Sequence, residues 1–200
     1  MGPLVVAAVM VEDDSLFREW GVRDSKLHRP DERERLAELI KAHSSWKVVI
    51  IEPGSIDERK GSTSLNTLEI RAFASLLDEL QPRKAYVDAC DANERHFKTA
   101  LTRVMKVRPE LVCEHKADLN YPVVSAASIV AKVRRDEEMR RIGDELGDVG
   151  SGYSSDPKTR AFLENWIREK GDLPPYTRRS WATAKDMLCS SKTSKLSDWE

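Results

Sequence analysis

The chain has 200 residues, and its 33 Lys plus Arg against 34 Asp plus Glu leave a formal net charge of −1. That balance excludes a uniformly basic, polyanion-coating protein, so any nucleic-acid surface is a local patch. With 40% hydrophobic residues the chain can bury one sizeable core, and no run in it is long enough to span a membrane.

In chain order, Leu4–Val11 reads as a strand buried on both faces. "PDERERLAELIKA" at 30–42 reads as a helix with Pro in its first turn and Leu36, Leu39 and Ile40 on one face. "WKVVIIEP" at 46–53 is a second buried strand, stopped by Pro53. The stripe Leu65, Leu68, Ala72, Leu76, Leu80 marks an amphipathic helix at 64–80. "KAYVDA" at 84–89 is a third strand, a helix over roughly 91–104 follows, and "LVCEHK" at 111–116 is a fourth strand. A long helix opens at Tyr121-Pro122, and "GDVGSGYSSDP" at 147–157 is a turn-rich loop. Helices follow at about 157–170 and 180–188, separated by "GDLPP", and the last dozen residues read as frayed. Alternating strands and helices predict an α/β domain over 1–149. A substrate-contacting loop and small C-terminal helical cap follow at 150–200. Cys90, Cys113 and Cys189 form no CxxC pair and are expected to be reduced thiols in a cytoplasmic protein.

Sites on open α/β sheets gather at strand ends, and two strands here end in acid. Asp88 closes the third strand with Asp91 three residues on; Asp118 lies just past the fourth, after His115 and Lys116. Held together, two such carboxylates repel unless a cation joins them, and Mg²⁺ or Mn²⁺ takes oxygen ligands. Each aspartate can equally be a loop hydrogen-bonder, and Asp91 reads first as a helix N-cap. His96 and His115 read as structural or surface residues. In "GSGYSSDPKT" at 150–159, Tyr153 either stacks on a sugar or base or packs the loop onto the core. Arg178, Arg179 and Lys185 beside Tyr176 and Trp181 suit a phosphate backbone, with Trp181 itself a core anchor. "RDSK" at 23–26 either offers Lys26 to a phosphate at a helix N-terminus or is a plain turn.

Taken in order, "GPLVVAAV", "DSK", "SLNTLE", "YVDACDAN", "HKADLNYPVVSAASIVAKVRRD", "GSGYSSDPKT" and "RRSWAT" resemble ribonuclease HII, with the archaeal branch the closer match. The resemblance runs from Gly2 to about Trp181. It implies a ribonuclease H-like mixed sheet flanked by helices. It also implies an endoribonuclease that cuts the RNA strand of RNA–DNA hybrids and at single ribonucleotides in duplex DNA; nothing in the sequence suggests more than a monomer. Two Mn²⁺ or Mg²⁺ ions, held by four carboxylates, would activate the water and leave 5′-phosphate and 3′-hydroxyl ends. Asp88 and Asp118 match the third and fourth carboxylates, Tyr153 the tyrosine that stacks on a deoxyribose, and Lys26 a residue near the substrate backbone. Ser154 stands where the family usually has proline.

The family's first two carboxylates lie in a "DEAGRG" strand before "GPLVVAAV", and this sequence does not contain it. The expectation is therefore a chain that cuts poorly as given and gains metal-dependent cleavage when such a strand precedes it. The intact downstream motifs favour a start codon assigned too late. The competing reading is a non-catalytic hybrid-binding module.

Overall fold

The computed structural model describes residues 1–58 and 64–197. The expected frayed end lies partly outside these residues, at 198–200; the backbone before it is helical through Ser197. The elements are β1 (Leu4–Met10), α1 (Ser15–Glu19), a 3₁₀ turn (Ser25–Leu27), α2 (Pro30–Ala42), β2 (Ser45–Ile51), α3 (Pro53–Asp57) and α4 (Leu65–Leu80). They continue with β3 (Lys84–Asp88), α5 (Glu94–Val104), β4 (Glu110–Glu114), α6 (Ala117–Asn120), α7 (Pro122–Leu146), α8 (Pro157–Lys170) and α9 (Ala182–Ser197). Among the described residues, β1 pairs with β2 and β3 with β4, giving two two-stranded sheets in a mixed α/β fold. No helix of the described residues is long and apolar enough to cross a membrane.

The described residues form two compact units, one of 1–4, 51–58 and 135–197 and the other of 5–50 and 64–134, so that α7 contributes to both. Residues 135–149 thus group with the C-terminal helices.

In the unit holding 5–50 and the residues up to 134, β3 and β4 run parallel, with Val87 opposite Cys113 and Asp88 opposite Glu114. Their alternation is a half-buried sheet: Ala85, Val87, Leu111 and Cys113 turn inward. Onto that face pack Ile70, Ala74 and Leu77 of α4 and the fully buried Phe97 and Leu101 of α5. Burying Phe97 contributes about 1.5–3 kcal/mol. A second cluster joins Ala7 of β1, Phe17, Leu36 and Ile40 to Ala126, Ile129, Val130 and Val133 of α7. Ser64 caps α4 by accepting the Thr67 N–H at 3.2 Å, and Gln81 ends it at φ +52.

In the other unit, Met1, Met139, Ile142, Val149 and Leu163 form one cluster, and Ile167, Leu173 and Ala184 another. Pro157 opens α8 behind the Asp156 cap, and Gly171 closes it in the left-handed region.

Three expectations shift. Pro53 stops β2, as expected, but also starts a five-residue helix. The N-cap of α5 is Asn93, which accepts the His96 N–H at 3.0 Å, while Asp91 accepts the Asn93 N–H and pairs with the His96 ring. The last helix runs well beyond 188.

Candidate active site

The parallel register carries two acids to one end of the β3–β4 pair. Asp88 is the last residue of β3, and the Ala89 N–H donates to the Glu114 carbonyl at 2.9 Å. Beyond β4 the chain turns through Lys116, left-handed at φ +56, into the single turn of α6. That turn aims the Ala117 N–H at Asp88 Oδ1, 3.3 Å away. Asp118 is the next residue, and the Ser125 hydroxyl on α7 donates to its carbonyl oxygen. Tyr121 braces the same turn: its hydroxyl donates to Glu114 at 3.0 Å, and its ring lies 4.2 Å from that of Tyr86.

The Asp118 carboxyl is raised above its ordinary 3.8, first by burial, then by the negative charges of Asp88 and Asp24, with Lys26 opposing them. Asp24 caps the 3₁₀ turn by accepting the Lys26 N–H at 2.9 Å. The structure therefore brings Asp88, Asp118 and Lys26 into one electrostatic neighbourhood and adds Asp24. The sequence reading gave Asp24 no charge role; its signal was the acid that opens the Asp-Ser-Lys motif.

Among the described residues, no group of three or more His, Cys, Asp or Glu side chains is close enough to hold a metal ion. Asp88 and Asp118 nonetheless fit a hard divalent cation. They supply carboxylate oxygens, and the Asp88 and Asp24 charges that add to burial in raising the Asp118 carboxyl are charges a cation would neutralise. Mg²⁺ commonly binds through one or two carboxylates together with waters and substrate phosphates.

Tyr153 belongs to the other unit, on a loop tied down at almost every step. Asp156 Oδ2 accepts both the N–H and the hydroxyl of Ser151, at 2.6 and 2.7 Å, while Oδ1 accepts the Lys158 N–H at 3.0 Å. These donors push the Asp156 carboxyl down to about 2. Thr159, 1% exposed, accepts the Gly152 N–H at 2.9 Å, and its hydroxyl lies 2.9 Å from the Val149 carbonyl. Gly150 sits at φ +66, and a Cβ there would fall 2.6 Å from Asp156 Oδ2. The tyrosine on this frame is 45% exposed, with the Arg135 guanidinium 4.0 Å from its ring centroid.

The two arginines of "RRSW" differ sharply. Arg178 is 7% exposed, donates to the Gly2 carbonyl at 3.0 Å and stacks 4.5 Å from the Trp181 ring, so its guanidinium is built into the unit. Arg179 is exposed and forms a two-point pair with Asp172, one contact at 2.9 Å. His115 bonds the Ala89 carbonyl and Glu94, consistent with a structural role.

The family model described as Ribonuclease HII matches residues 1–184. Ribonuclease HII from Pyrococcus furiosus is 42% identical over 200 residues, covering 98% of this chain and 88% of that protein. The ribonuclease HII of the PCNA:RNase HII complex from Archaeoglobus fulgidus superposes with a TM-score of 0.86 at 40% identity, covering 94% of this chain and 90% of that one. The ribonuclease H2 from Pyrococcus horikoshii gives 0.84 at 36% identity, over 96% and 94% of the two chains. Fold and matches together define an enzyme of the type 2 ribonuclease H class. The chain belongs to the ribonuclease HII family.

Proposed function

We propose that the protein is an endoribonuclease that cuts the RNA strand of RNA–DNA hybrids and beside single ribonucleotides in duplex DNA, leaving 5′-phosphate and 3′-hydroxyl ends. The observation that carries this reading is the Asp88–Asp118 pair, set at one strand end by the Ala117 amide and sharing its field with Lys26. Family membership supports the substrate class.

Asp88 and Asp118 would hold divalent ions, Mn²⁺ or Mg²⁺, which would supply Lewis acidity to the scissile phosphate and lower the pKa of a bound water. Lys26 offers its ammonium to a backbone phosphate. Tyr153 takes a deoxyribose of the cut strand, and the exposed Arg179 sits where a flanking phosphate can exchange with Asp172. Arg178 supports that segment from inside, through Gly2 and Trp181. The protein acts as a cytoplasmic monomer in this reading.

The test uses a duplex carrying one ribonucleotide, with the 200-residue chain and with the same chain preceded by an Asp-Glu-x-Gly-Arg-Gly strand. The reading expects Mn²⁺- or Mg²⁺-dependent cutting by the extended form, lost in Asp88→Asn and Asp118→Asn. It expects weak cutting by the shorter form, because the described carboxylates fall short of a two-ion set. Salt-sensitive hybrid binding with no cutting by either form would favour the non-catalytic binding module instead.

A further inference from the structure

Arg135, on α7, touches the Tyr153 loop at two described points. It is only 9% exposed. Its Nη1 donates to the Ser151 carbonyl at 3.0 Å, and its guanidinium carbon lies 4.0 Å from the Tyr153 ring centroid. It therefore grips the loop backbone two residues before the tyrosine and the aromatic ring itself. The ring stays 45% exposed all the same.

A tyrosine on a surface loop ordinarily samples several rotamers, and a ligand stacking on it must freeze them. A planar guanidinium against the ring fixes it in advance, since it stacks through its face while donating through its edge. A lysine could supply the charge but neither the plane nor the second donor. We propose that Arg135 is the positioning residue of Tyr153, holding the ring so that its exposed part receives a sugar or base of the nucleic acid. The identity of that ligand rests on the function proposed above. The placement of the ring rests only on the geometry. The plainer role for Arg135, a buried pin for loop stability, predicts loss of melting temperature with no specific effect on the ring or on binding.

The experiment uses the whole chain with Arg135→Met, Arg135→Lys, Tyr153→Ala and the Arg135→Met/Tyr153→Ala double variant, each checked for folding by circular dichroism. The Tyr153 ring signals, assigned by their loss in Tyr153→Phe, are followed by ¹³C NMR in the free protein. Arg135→Met should leave them averaged and mobile, and Arg135→Lys should fall between the two. Affinity for an RNA–DNA hybrid, measured by anisotropy in EDTA so that nothing is cut, should drop about tenfold in Arg135→Met. The same change should cost nothing further once Tyr153 is alanine. Ring signals that stay native in a folded Arg135→Met overturn the proposal, as do binding losses that add in the double variant. If the unsubstituted chain binds no hybrid, the assigned ligand and the proposed function fall together, while the ring signals separately decide whether Arg135 sets the ring.

Discussion

Asp88 accepts a hydrogen bond from the amide of Ala117, the residue immediately before Asp118. Two acids 30 positions apart are thus fixed by one backbone contact rather than by side-chain packing alone. Because the contact is main chain to side chain, substituting Asp88 changes both the charge and the set of the α6 turn. Substituting Asp118 leaves that contact in place.

Asp118→Asn is therefore the cleaner probe. The Asp118 carboxyl is raised, chiefly by burial and then by Asp88 and Asp24. A raised carboxyl contributes stability below its unfolded value near 3.8, and that contribution is lost as pH rises through the higher folded value. At pH 7 the ionised group opposes folding, so Asp118→Asn should melt about 1–3 °C above the parent. The gap should close near pH 3 in calorimetry. Cleavage should fall by at least about a hundredfold, and added Mn²⁺ should raise the melting temperature of the parent but not of the variant.

Asp156 works in the opposite sense. The Ser151 N–H and hydroxyl, then the Lys158 N–H, hold its carboxyl down to about 2. Its stabilising contribution is present above about 3.8 and fades as pH falls towards 2. In thermal melts, Asp156→Asn should lie below the parent at pH 7 and converge with it across that acid window.

Thr159→Val should cost about 1–3 kcal/mol, because the Gly152 amide and the Val149 carbonyl both lose the buried hydroxyl. Thr159→Ser keeps the hydroxyl and should cost about 1 kcal/mol for the lost methyl. Gly150→Ala should cost more than about 1 kcal/mol, since it strains a positive φ and drives a Cβ onto Asp156. Denaturant titration measures all three.

Tyr153→Ala should separate binding from folding. Loss of a stacking ring weakens nucleic-acid binding by about 5- to 150-fold. A side chain 45% exposed contributes little to the core, so the melting temperature should move by less than about 2 °C. Comparable losses in both measurements would indicate that the tyrosine serves to pack its own loop.

The sequence and the structure agree best where a signal repeats. The helix at 30–42 shows proline at the first position and a periodic apolar stripe and was legible to the residue, and the helix read at about 157–170 also opens on its proline. The five-residue helices at 15–19 and 53–57 are too short for a period to develop. At 91–93 two residues, Asp91 and Asn93, could each cap a helix, and composition does not rank them; His96 takes Asp91 and leaves Asn93 the cap. The convergence of Asp88 and Asp118 was legible because Asp88 closes β3 and Asp118 lies just past β4. The contrast between Arg178 and Arg179 was not, because two adjacent arginines carry the same charge. The Gly2 carbonyl and the Trp181 ring hold Arg178 inward.

The tied loop around Tyr153 also has a consequence for hydrogen exchange. The Gly152 amide is buried against Thr159, and the Ser151 amide is held by a carboxylate that stays ionised down to about pH 2. Both protons should exchange with solvent as slowly as those of the helices beside them. A half-exposed aromatic would then stand on backbone whose exchange clock is that of the protein's interior.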